Sequence, residues 1–291
     1  MELGDKIKAL RTAKLMTQSE LAGNEITRNM LSRIENGAAQ PSLDTLKYIA
    51  TKLNVSAGYL LAEASDEQMY MKYNDINSIK TAYLTGDFHI CRDICLKSAS
   101  ITDDEVQLIL AECTKEIAIE EFNRGNLHRA CEYFDLALEA CAGTIYNTAY
   151  LSSICAMYFK YMRYISATLS SNCIDETDVP TYAAMNDAFC QYAGAFLEWK
   201  SESREGELFV SEDKKSQYGT HLLALDYMEQ GDYRGAYDYL HSILVSEEQI
   251  PEPMMYFIFC DLEVCCKEIS DFKGAYEYSI DKIELLQKML S

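Results

Sequence analysis

Proline, tryptophan and histidine are scarce in this sequence, and it contains no long apolar run. Its 291 residues include 4 prolines, 1 tryptophan and 4 histidines. Because proline interrupts helices and strand-like alternation of apolar and polar residues is rare, the composition predicts an all-α chain. No apolar segment approaches the 18 or so residues that a membrane-spanning helix needs, so we predict that the chain does not cross a membrane.

Signals for secretion and for catalysis are also missing. The N-terminal segment has an amphipathic pattern, MELGDKIKALR, without the apolar core of a secretory signal, and we therefore expect a cytoplasmic protein. The sequence contains no nucleophile motif, no phosphate-binding glycine loop and no paired metal ligands. The histidines are scattered, at His89, His128, His221 and His241. We predict that the protein is not an enzyme and that it has no catalytic residues, metal or cofactor.

The chain has eleven cysteines, an odd number, all after residue 90. No pair of C-x-x-C motifs occurs. Cys91 and Cys95, with His89 nearby, come nearest to a metal site, but they lie in a helical pattern that has no second half. We favour small core residues in a reducing cytosol, and a redox or metal role is the alternative.

Residues 17–37 predict two short helices joined by a tight turn, TQSELAGNEITRNMLSRIENG. Thr17 and Glu20 can form a capping box at the start of the first helix. Thr27 is placed to cap the second helix, and Gly37 is placed to end it. The sequence therefore predicts a helix, a turn and a second helix within about 20 residues.

The second of these helices has one apolar face and one polar face. At about 100° per residue, Leu31, Ile34 and Met30 fall on the apolar side, opposite a compact set of hydrogen-bonding side chains. Such a polar face is typical of a helix that enters the major groove of DNA. The residues predicted to contact bases or phosphates are Gln18, Arg28, Asn29, Ser32, Arg33, Asn36 and Lys47.

Residues 3–62 resemble an Xre/Cro-type helix-turn-helix domain of five helices. The resemblance rests on Ile7, Leu10, Arg11, Thr17-Gln18, Leu21-Ala22, Ser32 to Gly37, Pro41-Ser42, Leu46, Ile49-Ala50, Leu53 and Val55-Ser56. The segment 22–31 is one residue shorter than in phage repressors. In similar domains the residue matching Arg11 pairs with the residue matching Glu35. We therefore favour this ion pair, and a phosphate contact by Arg11 is the alternative.

The same pattern predicts the other helices of this domain. A first helix is expected over residues 3–14, a fourth after Pro41-Ser42, and a short fifth capped by Ser56. The fourth helix is expected to leave Lys47 on the surface and to bury Leu43, Leu46, Ile49, Ala50 and Leu53.

The net charge of −20 is divided unevenly along the chain. Residues 1–65 hold eight Lys/Arg and seven Asp/Glu, a charge of +1, which leaves 26 − 8 = 18 basic and 46 − 7 = 39 acidic residues, a charge of −21. An acidic body is repelled by DNA. A nearly neutral reading head holds DNA weakly, because phosphate neutralisation supplies much of the affinity. We therefore predict a homodimer that places two heads on a pseudo-palindromic duplex.

From about residue 68 onward, four segments resemble one another, at residues 84–96, 123–138, 229–244 and 268–283. They are similar to tetratricopeptide repeats. A small residue opens the second helix at Ala130, Ala236 and Ala275, although Cys91 occupies this position in the first repeat. The spacing is 39 residues from Gly86 to Gly125 and again from Gly231 to Ser270, and repeats of this period indicate stacked helical hairpins. We predict a right-handed superhelix of about six hairpins, with further helix starts near Thr144, Pro180 and Gln217, and domains at residues 1–65 and 66–291.

The combination resembles the peptide-pheromone-sensing regulators of the Rgg, PlcR and PrgX type. This resemblance implies a repeat domain that dimerises and binds a short peptide on its concave face. Asn147 and Asn186 lie one period apart, within tyrosine-rich segments that we predict to be first helices of hairpins. A side-chain amide offers a donor and an acceptor to a peptide backbone. The predicted ligand residues are Asn147, Tyr150, Tyr182 and Asn186.

Two alternatives remain open. These asparagines are otherwise ordinary helix-end or surface residues, and the tyrosines, including Tyr146 and Tyr192, are otherwise packing residues. The alternative function is a repeat scaffold for a protein partner, with the helix-turn-helix tethering it to DNA. A third possibility is a regulator that is controlled by partner proteins or that has no ligand.

Overall fold

The computed structural model describes residues 2–63, 66–98, 101–173, 182, 185–201 and 216–291. Over these ranges the chain is helical and contains no β-strand, which confirms the all-α prediction. It forms two compact units, Met1–Leu110 and Ala111–Ser291. The predicted division into domains 1–65 and 66–291 differs from these units and stays a prediction.

The first unit opens with five short helices at the predicted places. They are α1 (Leu3–Ala13), α2 (Gln18–Ala22), α3 (Arg28–Glu35), α4 (Leu43–Leu53) and α5 (Ala57–Leu61). Four helices begin after a capping hydroxyl group, which accepts a hydrogen bond from the backbone N–H three residues later. The capping residues are Thr17, Thr27, Ser42 and Ser56. Thr17 and Glu20 form the complete capping box. The polar residues before each helix therefore set its first turn.

One apolar core holds these five helices together. Its fully buried members include Ile7 of α1, Leu21 of α2 and Leu31 of α3. The prediction that Leu43 is buried was wrong, because its side chain is 61% exposed. Leu43 is the first residue of α4, and side chains in a helix lean toward its N-terminus. That side chain therefore extends past the end of the helix instead of over the core.

Ten further helices follow, in five consecutive pairs within the described residues. The pairs are α6 (Glu67–Leu84) with α7 (Phe88–Lys97), α8 (Asp104–Asn123) with α9 (Leu127–Ala142), α10 (Ala149–Ile165) with α11 (Ala188–Lys200), α12 (Gln217–Glu229) with α13 (Tyr233–Leu244), and α14 (Glu252–Glu268) with α15 (Phe272–Met289). The predicted start at Gln217 is confirmed, α10 begins after the predicted Thr144, and Pro180 lies outside the described residues. The predicted number of hairpins was about six, and the superhelical hand stays a prediction.

Four of these pairs are closed by the same tight turn. At Gly86, Gly125, Gly231 and Ser270 the backbone φ angle is 77°, 79°, 81° and 65°. Each of these residues donates its N–H to the carbonyl three residues earlier, and the next residue donates to the carbonyl five residues earlier. This is the Schellman arrangement that ends helices. The four similar sequence segments therefore share one backbone geometry, even where serine replaces glycine.

The core of the second unit is rich in aromatic rings from helices that are far apart in sequence. The ring centroid of Tyr161 in α10 lies 5.4 Å from that of Phe257 in α14. The ring centroid of Phe196 in α11 lies 4.7 Å from that of Phe257. Tyr192 is only 2% exposed. Tyr192 is therefore part of the core, in line with the packing alternative.

A chain of buried polar groups crosses this aromatic core. Asp261 of α14 accepts from Lys200 Nζ at 3.0 Å and pairs with His221 Nε2 at 3.0 Å. His221 Nδ1 lies 2.9 Å from the Tyr192 hydroxyl. Burial alone would raise the pKa of Asp261, but the bond to His221 and the charge of Lys200 hold it below its usual value. Lys200, Asp261, His221 and Tyr192 thus each have a polar partner, as a low-dielectric interior requires.

The eleven cysteines are free thiols in this structure, and most of them are packing residues. The buried ones are Cys91, Cys95, Cys113, Cys141, Cys155, Cys190, Cys265 and Cys266. Burial raises the pKa of Cys155 and Cys190, which keeps both thiols protonated at neutral pH. The interpretation of these residues as small core residues therefore fits their positions.

Candidate nucleic-acid interface

The helix α3 is fixed on its inner side by burial and by a close backbone contact. Leu31 and Ile34 are almost completely buried. Gly4 of α1 lies so near the C-terminal end of α3 that a Cβ atom there would be 2.5 Å from the Ile34 carbonyl oxygen. Since only glycine permits this approach, the orientation of α3 depends on a residue that the sequence pattern had not singled out.

The carboxylate of Glu35 links three helices beneath the polar face of α3. It accepts from Arg11 Nε at 2.6 Å, from Arg11 Nη2 at 3.1 Å and from Gln18 Nε2 at 2.8 Å. The Glu35 side chain is 1% exposed and that of Arg11 is 14% exposed. The predicted ion pair is therefore confirmed, and Arg11 is used inside the domain.

The pKa of Glu35 reflects two opposing effects. Burial raises it, because a charged carboxylate loses hydration. The hydrogen bonds from Arg11 and Gln18 and the Arg11 charge lower it by more, so the pKa lies below its ordinary value. Glu35 is therefore ionised at neutral pH and holds Arg11 and Gln18 in place.

A hydrogen bond from α4 stabilises the turn between α2 and α3. The hydroxyl of Tyr48 donates to the Ala22 carbonyl at 3.1 Å. Gly23 follows with a φ of 54°, and a side chain there would overlap the Tyr48 hydroxyl. This short turn thus needs a glycine for two reasons, its backbone conformation and the closeness of Tyr48.

Most of the predicted DNA-contacting side chains are exposed. Arg28, Asn29, Arg33 and Asn36 are exposed on or just after α3, Ser32 is half-buried, and Lys47 is exposed on α4. Gln18 is half-buried, and one hydrogen of its amide nitrogen is donated to Glu35. An amide nitrogen carries two hydrogens, so a second donor remains on Gln18. The DNA-contacting role of these residues stays a prediction.

Sequence reasoning assigned Met30 to the apolar core side of α3, but its side chain is 37% exposed. On the helical wheel Met30 lies at the edge of the apolar face, about 60° from Arg33. That edge position was the available signal. An apolar side chain here suits contact with a thymine methyl group.

The predicted ligand residues are not arranged as expected. Asn147 and Asn186 were predicted to lie within helices, and this was wrong, since they precede α10 and α11. The Asn147 Oδ1 atom accepts the Ala149 N–H at 3.0 Å, the habit of asparagine at a helix start. Tyr150 is 50% exposed. Tyr182 donates to Glu198 and packs against Gly194, which has no side chain to obstruct it.

A cleft of about 580 Å³ lies elsewhere in the second unit, along α9. The residues that line it are His128, Cys131, Glu132, Asp135, Leu136, Glu139, Thr168, Leu169, Ser170 and Asn172. Residues 168–172 form the side of the cleft opposite α9. Asp135 of α9 holds this segment by accepting hydrogen bonds from Ser171 Oγ at 2.7 Å and from the Asn172 backbone N–H at 3.1 Å. None of the predicted ligand residues lines this cleft.

The described part of the chain lacks two further kinds of feature, a metal-binding cluster and a membrane-spanning helix. No group of three or more histidine, cysteine, aspartate or glutamate residues there is arranged to hold a metal ion. None of its helices combines the length and the apolar character needed to cross a membrane.

Comparison with known proteins agrees with the geometry of the first five helices. Residues 7–60 match the helix-turn-helix family HTH_3. The solved structure of Bacillus thuringiensis PlcR in complex with the peptide PapR7 and DNA is 16% identical, and the match covers 100% of this chain and 81% of that one at a TM-score of 0.22. A score this low does not establish a common fold over the whole chain. No curated protein matches the chain. The match over residues 7–60 and the geometry of α1–α5 together show that this chain carries a helix-turn-helix domain of the DNA-binding class.

Proposed function

We propose that the regulator reads a pseudo-palindromic operator as a homodimer, with α3 of each copy in the major groove. The observation that carries this proposal is the division of α3 into two faces. Leu31, Ile34 and Glu35 are buried, Asn29 and Arg33 are exposed on the other side, and Arg28 is exposed at the first residue of the helix. A helix that is fixed on one side and presents guanidinium and amide groups on the other is suited to reading base edges.

Charge supports two heads on one duplex. Residues 1–65 carry a net charge of +1, and the rest of the chain carries −21. Each phosphate that a lysine or arginine neutralises releases counterions and adds to the affinity for DNA. One head with few exposed cations therefore gains little DNA affinity in this way. Two heads on one operator raise the affinity, because the second head binds at a high effective concentration.

The test uses duplexes that the wild-type protein selects from a random-sequence pool, in a gel shift at fixed salt. Arg33→Ala is expected to cost about 1–3 kcal/mol if Arg33 contacts a guanine through two hydrogen bonds. The double variant Arg28→Ala/Arg33→Ala should lose more.

The control for this test is Lys160→Ala/Arg163→Ala, which removes the same charge from two exposed residues of α10. Its DNA affinity should match that of the wild type. If the Arg28→Ala/Arg33→Ala variant also binds like the wild type, this face of α3 does not read the operator.

We further propose that the paired helices after residue 66 sense a ligand, and that this ligand is a short peptide. The support is the sequence resemblance to peptide-sensing regulators and the regular helical pairs with their shared turns. The net charge of −21 favours a neutral or basic peptide, because an acidic one is repelled on approach. A peptide that prefers one arrangement of the two heads would shift DNA affinity.

A synthetic library of short peptides of varied charge, screened by thermal shift and followed by calorimetry, tests this proposal. Asn147→Ala/Asn186→Ala should weaken the best binder by about 1–3 kcal/mol if both amides hold its backbone. Asn77→Ala, which removes an exposed amide from α6, is the matched control. If no peptide binds, the scaffold function becomes the better proposal.

A further inference from the structure

The helix α15 carries an exposed apolar stripe, which we define as Phe272, Tyr276, Ile280 and Ile283. These side chains are 71%, 68%, 38% and 48% exposed. At about 100° per residue they fall within an arc of roughly 80° along three turns of the helix. No described helix covers them.

The size of the stripe distinguishes it from scattered surface residues. Large apolar and aromatic side chains bury on the order of 150–250 Å² each, so the exposed fractions amount to roughly 450 Å². A patch of this size is comparable to the largest apolar patch on a typical monomer, and such patches are often functional. It is also about half of the 800 Å² or so that each partner contributes to a standard interface.

The opposite face of α15 is firmly attached to the rest of the second unit. Ala275 and Met289 are buried. Lys282 pairs with Glu263 of α14, and Lys288 pairs with Glu252 at the start of α14. The stripe therefore has a fixed orientation and cannot turn inward without breaking these contacts.

Two opposite charges lie on one edge of the stripe, one near each of its ends. Lys273 and Glu284 lie on the same edge, about 20° apart on the helical wheel, and Lys273 also pairs with Glu277 one turn further along α15, at 3.3 Å. Lys273 is the residue after Phe272, the first residue of the stripe. Glu284 is the residue after Ile283, the last residue of the stripe. Two antiparallel copies of α15 related by a two-fold axis would therefore place Lys273 of one copy opposite Glu284 of the other, twice.

We propose that the stripe is the surface on which a second copy of this chain docks, with the two α15 helices antiparallel. The inference rests on the proposed dimeric regulator and names its contact surface. A second copy fits better than an unrelated partner, because the charges complement themselves under a two-fold rotation. No charged residue lies within the arc of the stripe, so the apolar side chains of two copies can meet without burying a charge.

Sedimentation of the full chain over a range of concentrations tests the surface. The wild type is expected to be a dimer at micromolar concentration, and Tyr276→Lys/Ile280→Lys should raise the dissociation constant at least tenfold. Circular dichroism melting should be nearly unchanged, because both side chains are exposed. Leu84→Lys is the matched control, since Leu84 of α6 is an 83% exposed apolar residue outside the stripe.

Charge reversal tests the antiparallel arrangement separately. Lys273→Glu alone and Glu284→Lys alone should each weaken the dimer by placing like charges opposite each other. The double variant Lys273→Glu/Glu284→Lys should regain the wild-type dissociation constant. A monomeric wild type, an unchanged dimer in Tyr276→Lys/Ile280→Lys, or a double variant no tighter than the weaker single variant would each overturn the proposal.

Binding to one selected half-site separates this surface from the DNA-reading function. The stripe variants should bind a half-site duplex with wild-type affinity, because α15 is not part of the reading head. If the wild type dimerises through α15 but selects no DNA, the proposed function fails and the docking surface stands. If the wild type selects DNA but does not dimerise, the docking surface fails.

Discussion

Removing the Glu35 carboxylate should destabilise the DNA-reading head far more than removing any exposed charge near it. In Glu35→Ala, the Arg11 guanidinium loses both of its carboxylate contacts, and Gln18 loses one acceptor. Breaking a buried ion pair by deleting one partner costs about 3–5 kcal/mol. Because Arg11 keeps 14% of its side-chain surface exposed and can regain some water, we expect a loss near the lower limit, about 3 kcal/mol.

Hydrogen exchange read by mass spectrometry on the full chain measures this loss locally. A loss of about 3 kcal/mol corresponds to roughly a hundredfold faster exchange of the core amides in α1 and α3. Arg11→Met should cost a similar amount, because it leaves a buried carboxylate without its cation. The double variant Arg11→Met/Glu35→Leu should cost less than either single variant, since no uncompensated charge remains buried. Additive losses, or a loss under about 1 kcal/mol in Glu35→Ala, would refute this reasoning.

The same carboxylate should give the head a characteristic acid response. The pKa of Glu35 is lowered on folding. Its stabilising contribution is therefore complete above the ordinary glutamate pKa of about 4.3 and is lost as the pH falls through the lower folded value. Exchange in α3 should be protected to the same degree at pH 7 and pH 5 and should lose protection below about pH 4. In Glu35→Gln this part of the acid response should be absent.

Two further predictions concern the second unit. Gly231→Ala should cost about 1 kcal/mol, because φ is 81° but nothing obstructs a side chain, whereas Gly125→Ala should cost roughly 1–3 kcal/mol more by displacing Glu252 and Met289. Equal melting temperatures for the two variants would contradict this. Asp261→Ala should lower stability by about 3 kcal/mol in a urea titration followed by Trp199 fluorescence, because Lys200 and His221 lose their buried partner. The exposed Asp238→Ala is its control, and a similar urea midpoint for both would show that the buried pair contributes little.

The reading head was largely predictable from sequence because its signals are local. Thr17, Thr27, Ser42 and Ser56 each act on the amide three residues on, so neighbouring residues suffice to place the helix starts. Gly4 escaped attention because its role depends on a carbonyl thirty residues later. Met30 was predicted to lie on the buried side of α3, but it is exposed. It lies at the edge of the apolar face, and at that position the helical wheel does not determine whether a side chain is buried.

The repeat region shows the limit of periodic patterns. The turns at Gly86, Gly125 and Gly231 were placed correctly, since a left-handed backbone conformation favours glycine. The tyrosines could not be sorted by the same means. Tyr150 is exposed while Tyr192 is in the core, and this difference comes from rings on other helices, such as Tyr218 of α12. Period and composition do not contain that information.

The aromatic core of the second unit bears on how the helical pairs depend on one another. In a simple repeat array each unit contacts only its neighbours, and the array can lose units from an end without affecting the middle. Here Tyr161 of α10 contacts Phe257 of α14, and Lys200 of α11 pairs with Asp261 of α14, although a complete helical pair separates them in sequence. Residues 111–291 therefore should fold and unfold as one cooperative block, and deleting the last pair would remove part of the core from the pairs before it.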